Sequence, residues 1–220
     1  MKVAAIVPAY NEEHRIWSVL SVVENCPQVN EIIVVDDCST DGTRNCIPSD
    51  DGIRAVSLER NLGKGGALWA GVRQTVADVL LFLDADLVGL EEHHIGSLLR
   101  PVVEDEAEMC VGVFQGGRLW TDLWQKIVPY ISGQRAMRRE VFLSAPYLQG
   151  ARFGVEVALT HHARECGFRI NWVPLVGVTH VMKEEKMGVV SGLGARARMY
   201  WDMGRALASC RWRPSERQDP

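Results

Sequence analysis

The first 110 residues alternate short apolar runs with amphipathic segments, and this alternation restricts the fold more than any other feature of the chain. Strands are expected at Lys2–Val7, Glu31–Asp36, Ile53–Leu58, Val79–Asp84 and Met109–Phe114. Between them the spacing predicts helices over Glu12–Glu24, Lys64–Val76 and Glu91–Val103, with a short one at Asp41–Cys46. Uninterrupted apolar stretches such as Val79-Leu80-Leu81-Phe82-Leu83 suit strands buried on both faces. The expectation is an α/β fold with a mostly parallel central sheet and helices on both sides. Ligands of such sheets sit beyond the carboxyl ends of the strands, so Pro8–Glu12, Asp36–Ser39 and Asp84–Asp86 share one rim.

The second half is less regular. Leu119–Ile131 reads as a helix with Trp120 and Trp124 on one face, and Phe153–Cys166 as another. Strands follow near Arg169–Trp172 and Leu175–His180, then a long terminal helix over Gly188–Arg211. The length of 220 residues suits one domain, and no repeat or low-complexity linker divides it.

Asp84-Ala85-Asp86 closes the apolar run at its carboxyl end. Two carboxylates there are costly unless a cation or hydrogen-bond donors satisfy them. A hard cation, Mg²⁺ or Mn²⁺, would in turn bridge them to phosphate oxygens. Pro8-Ala9-Tyr10-Asn11-Glu12 ends the first strand, with Pro8 setting a turn and Asn11 an N-cap, and its backbone suits a base and ribose. Asp37 follows the second strand and is placed to accept from the base or ribose, whereas Thr40 and Asp41 cap the next helix. Arg60-Asn61-Leu62-Gly63-Lys64-Gly65-Gly66-Ala67 opens a helix, where glycines admit a close approach and Lys64 can steady a phosphate. The spacing is not that of a Walker A loop.

PAYNEE, VDDCSTDGT, RNLGKGGA and LFLDADL, in this order, resemble the motifs of a family-2 glycosyltransferase with the GT-A fold. Ser132–Glu140 resembles a segment of polyprenyl-phosphate glycosyltransferases such as dolichyl-phosphate mannose synthases, with Gln134 where they carry an aromatic. The resemblance implies a metal-dependent, inverting transfer from a UDP- or GDP-sugar. It implies that residues 1–110 form the donor half, 111–187 the acceptor half and 188–220 a terminal helix and tail. Pro8, Ala9, Tyr10 and Glu12 would line the nucleotide pocket with Asp37 on the base. Asp84 and Asp86 would organise Mg²⁺ or Mn²⁺ and the diphosphate, Asp86 more directly, with His180 as a third ligand or a structural histidine. Glu156 would be the base or would orient the acceptor, Arg135 would hold an acceptor phosphate, and Lys183 and Lys186 would close over the diphosphate. The adjacent pairs His93-His94 and His161-His162 cannot face one site from a helix and read as structural.

Charge is uneven. Residues 1–110 carry 19 acidic and 8 basic side chains, and residues 111–220 carry 9 and 16, within a net charge of −4. The acidic half suits a cation, the basic half an anionic acceptor or membrane surface, and nothing points to nucleic acid. Arg196–Arg213 mixes arginines with Trp, Tyr, Met and Leu, which suits a membrane interface, core packing or a homodimer contact. Six cysteines without metal spacing, no secretory leader and no membrane span suggest a cytoplasmic protein, free or peripheral at the membrane's inner face. The acceptor is a polyprenyl phosphate or a soluble hydroxyl compound. A sugar nucleotidyltransferase would open on a Gly-rich loop rather than PAYNEE, and a non-catalytic binding module would not need both Asp84 and Asp86.

Overall fold

The computed structural model describes residues 1–48, 52–115, 132–145 and 154–180. The expected helices at Leu119–Ile131 and Gly188–Arg211, with Lys183 and Lys186, lie outside them. Nine strands are described: β1 (Val3–Ala9), β2 (Glu31–Asp36), β3 (Ile53–Ser57), β4 (Val79–Phe82), β5 (Leu87–Val88), β6 (Met109–Gln115), β7 (Arg135–Arg138), β8 (Ile170–Val176) and β9 (Thr179–His180). The helices are α1 (Ile16–Glu24), α2 (Gly63–Val72), α3 (Glu92–Val103), α4 (Arg139–Ser144) and α5 (Val155–Glu165), with a 3₁₀ turn at Thr43–Cys46.

Seven strands form one sheet in the order β3-β2-β1-β4-β7-β6-β8, parallel except for β7. Alternate residues of β1 feed opposite faces. Val3, Ala5 and Val7 pack with α1 and α3, while Ala4 and Ile6 pack with α2, α4 and α5. Helices therefore cover both faces, as the two-sided apolar runs predict. Phe142 of α4 meets Phe82 of β4 edge-on and stacks with Trp69 of α2, at centroid distances of 5.3 and 5.6 Å.

Several expected boundaries move for local reasons. β1 runs through Pro8 rather than turning there. Its pairing with β4 has already ended at Ile6–Phe82, so the missing N–H costs no ladder bond. The helix expected from Glu12 starts at Ile16, because the preceding amides bond elsewhere. Asn11 N–H donates to Ser39 Oγ, Glu12 N–H to Thr43 Oγ1 and Glu13 N–H to Asp41. Asn11 is no N-cap; its φ is 58°, and its side chain accepts from Thr40 N–H. Asp41 does cap the 3₁₀ turn, accepting Thr43 N–H at 2.9 Å. The helix from Lys64 stops at Val72, and Thr75 Oγ1 takes the Ala77 amide in a competing local bond. The two strands expected after α5 divide differently: β8 runs unbroken over Ile170–Val176, tolerating Pro174 on the sheet edge, and the second strand shrinks to β9, Thr179–His180. β7, for which the sequence predicts no strand, is central in the sheet. Among the described residues no helix is long and apolar enough to cross a membrane.

Candidate active site

Asp84, Asp86 and the loops after β1 and β2 do gather at the carboxyl ends of the parallel strands. The two upstream loops brace each other. Beyond the amide bonds above, Glu13 Oε2 accepts Gly42 N–H at 2.6 Å, and Asp36 Oδ1 accepts Ser39 N–H at 3.0 Å. Ala9 and Glu12 are buried in this lattice, while Tyr10 stays 47% exposed.

Asp37 does not point its carboxylate outward. It is 4% exposed, and its oxygens accept the Leu62 and Gly63 amides at 2.7 and 2.8 Å. Its carbonyl also accepts from Asn61 Nδ2. Asp37 thus secures the loop that starts α2, a carboxylate at a helix N-terminus.

That helix start carries Lys64. Its ammonium forms ion pairs with Asp84 and, at 2.7 Å, with Glu156 Oε1. Burial alone would lower the Lys64 pKa, but Asp84 and then Glu156 more than reverse this and hold it above the ordinary lysine value. Gln134 completes the group. Its Nε2 donates to Asp84 Oδ2 at 2.9 Å and its Oε1 accepts from Ser132 Oγ at 3.0 Å. Gln134 is fully buried at the start of β7, beside β4. Gly133 lies so close that a Cβ there would collide with both Lys64 Nζ and the Asp84 carboxylate. Sequence reasoning named Gln134 only as a departure from an aromatic; the signal was a polar amide next to a DxD strand.

Arg135 corrects an expectation. It is 1% exposed and holds no outward-facing phosphate site. Its guanidinium donates to the carbonyl of Glu156 at 3.1 Å, to Thr160 Oγ1 at 3.3 Å and to the carbonyl of Ser132. Burial pushes its pKa down to about 10, with Glu156 and Asp84 pulling the other way. Arg135 therefore ties α5, which carries Glu156, to β7. Arg138 pairs with Asp105, and Arg139 donates to the Val72 carbonyl, so neither joins the site.

Asp86 precedes β5. The antiparallel β5–β9 register sets Leu87 opposite His180, which brings the His180 backbone beside the acidic motif. Among the described residues no three His, Cys, Asp or Glu side chains form a ready metal cluster. Asp84 is bonded to both Lys64 and Gln134.

Known proteins resemble this chain in both sequence and fold. The undecaprenyl-phosphate 4-deoxy-4-formamido-L-arabinose transferase of Yersinia pestis (strain Pestoides F) is 27% identical over 200 residues, covering 86% of this chain and 59% of that protein. The glucosyl-3-phosphoglycerate synthase of Mycobacterium tuberculosis (strain ATCC 25618 / H37Rv) is 30% identical over 196 residues, covering 71% of this chain. The chain thus spans 59% of the length of these curated relatives. A crystal structure of the M. tuberculosis synthase with Mn²⁺, UDP and glucosyl-3-phosphoglycerate superposes with a TM-score of 0.76 at 27% identity, over 98% of this chain and 81% of that one. Another, with Mg²⁺ and UDP, gives 0.74 at 26%, over 98% and 81%. The expected GT-A architecture is the one these structures share with it. Residues 4–161, most of the described sheet and every motif of its rim, match the family model of glycosyl transferase family 2, and to that family the chain belongs.

Proposed function

We propose that this protein transfers a sugar from a UDP-sugar to a phosphate-bearing acceptor, with a divalent cation and with inversion at the anomeric carbon. The observation that carries the reading is the bonded group Asp84–Lys64–Glu156–Gln134 next to Asp86 on the strand rim. The relatives solved with UDP and Mn²⁺ or Mg²⁺ support the choice of nucleotide and ion.

Pro8, Ala9, Tyr10 and Glu12 line the uridine side of the rim in this reading. Asp86 and His180 would hold the cation, a carboxylate and an imidazole that suit Mn²⁺ or Mg²⁺. When bound, the ion offsets the negative charge that develops on the departing UDP. Asp84, held by Lys64 and Gln134, steadies that side of the site. Lys64 adds positive charge beside the diphosphate, and Lys186 adds more by resemblance to the family's closing loop. Glu156, already engaged by Lys64, orients the acceptor rather than abstracting its proton unaided.

The leading acceptor is a small phosphorylated hydroxy acid such as 3-phosphoglycerate. A second reading, a polyprenyl phosphate, is favoured by the match over 86% of the chain to an undecaprenyl-phosphate transferase and by the basic second half. Calorimetry with UDP and GDP, with and without Mn²⁺, on wild type and Asp86→Ala tests the donor site. Mn²⁺-dependent binding of UDP alone, lost in the variant, is expected. Binding of neither nucleotide would remove the reading. Transfer from UDP-glucose to 3-phosphoglycerate or to undecaprenyl phosphate in detergent then separates the acceptors.

A further inference from the structure

His94 sits in the first turn of α3, which follows β5, and is 3% exposed. Glu91 N–H donates to its Nδ1 at 3.0 Å, and its Nε2 lies 3.1 Å from the carbonyl oxygen of Val176. These two contacts admit one neutral tautomer: Nδ1 accepts, so Nε2 carries the proton and donates. Burial, and then the neighbouring His93, hold the His94 pKa below the ordinary histidine value; the Val176 bond and Glu91 pull less strongly the other way.

The carbonyl it holds ends β8, at the turn into β9. Gly177 takes φ +79°, Val178 is buried, and Thr179 and His180 pair with Val88 and Leu87. Gly89 packs on the same turn; a Cβ there would collide with the Gly177 carbonyl. The turn is therefore clamped from the α3 side, just before the residue that faces Leu87.

We propose that His94 is a positioning residue of the cation site, its Nε2–H fixing the Val176 carbonyl and thereby the turn that delivers His180 beside Asp86. The inference rests on the reading of Asp86 and His180 as cation ligands. The paired variants His94→Asn and His94→Gln test it. Asparagine keeps an acceptor for Glu91 N–H near the Nδ1 position but cannot reach Val176. Glutamine reaches the carbonyl with its Nε2. Mn²⁺ is titrated against the full chain in the presence of UDP, with free Mn²⁺ read by electron paramagnetic resonance. We expect the affinity to fall about 10-fold in His94→Asn, as for outer-shell partners of metal ligands, and to recover to within about threefold in His94→Gln. Metal-free melting curves check that each variant folds.

An unchanged affinity in His94→Asn, with binding lost in Asp86→Ala and His180→Ala, would overturn the inference and leave the function standing. Full binding in Asp86→Ala would remove the cation site and the inference together. If His94→Asn fails to fold, long-range ¹H–¹⁵N spectra of the wild type decide. A neutral Nε2–H ring supports the clamp, and an Nδ1–H or doubly protonated ring at neutral pH overturns it.

Discussion

The Lys64 ammonium lies 2.7 Å from Glu156 Oε1 while also pairing with Asp84, so one cation joins α2 to both α5 and the end of β4. Replacing it by methionine keeps the stem and leaves two carboxylates facing each other. Lys64→Met should cost about 1–3 kcal/mol of stability in urea titrations and lower kcat/KM by roughly 100-fold. Because the Lys64 pKa is raised in the folded state, its contribution is complete below the ordinary lysine value and is lost only as pH rises through the higher one. The stability difference between wild type and variant should therefore stay flat from about pH 6 to pH 9. A difference that shrinks in that window would mean the ion pair is not the cause.

Gly133→Ala introduces a methyl group where Lys64 Nζ and Asp84 already meet. Strand β7 cannot retreat, because β4 and β6 flank it. The pair must part, and a displacement near 1 Å at such a site costs on the order of 100-fold in rate. Turnover of UDP-sugar, compared with wild type at equal folded fraction, checks this.

Arg135→Met should act on stability first. The carbonyls of Ser132 and Glu156 lose their donor inside the protein, a loss of about 2–4 kcal/mol. Urea unfolding gives the size. A rise in acceptor KM without loss of stability would restore the phosphate-binding assignment that the buried geometry replaces.

Acid should weaken one edge of the sheet. Hydrogen bonds from Arg169 hold the Glu108 carboxyl below its ordinary value of 4.5. A depressed carboxylate contributes above its unfolded pKa and loses that contribution as pH falls through the folded one. Arg169 is about half exposed, so Glu108→Gln should cost about 0.5–1 kcal/mol at pH 7 and less at pH 3, below the ordinary carboxylate value. Melting temperatures of both proteins at the two pH values measure it.

How far the sequence carried these conclusions differs from element to element. The apolar runs of β1, β2 and β4 are long, two-sided and bounded by turn residues, so the parallel sheet and its rim were legible. Arg135-Ala136-Met137-Arg138 has no such run; it becomes a strand because β4 and β6 pair with it from both sides. The two-residue strands β5 and β9 carry no periodicity at all, yet their register sets His180 by the acidic motif. Asp84, Lys64 and Glu156 were each named from separate motifs. Their mutual ion pairing was not legible, since it depends on how far α2 and α5 lean over the sheet. Asp37 and Arg135 look alike in sequence to ligand-binding residues. Only the direction of their side chains, toward backbone amides and carbonyls, separates the two uses.

The antiparallel insertion of β7 also has a consequence for how the chain folds. β4 and β6 are successive in sequence among the strands of the main sheet, yet neither can complete its pairing until residues 135–138 arrive to lie between them. The same late segment brings Gln134 to Asp84 and Gly133 to Lys64. A nascent chain that has emerged only as far as β6 therefore presents the open edge of β4 and a β6 with neither neighbour in place, a hazard for association with other chains. Closing the edge of β4 and bringing Gln134 to Asp84 are one event.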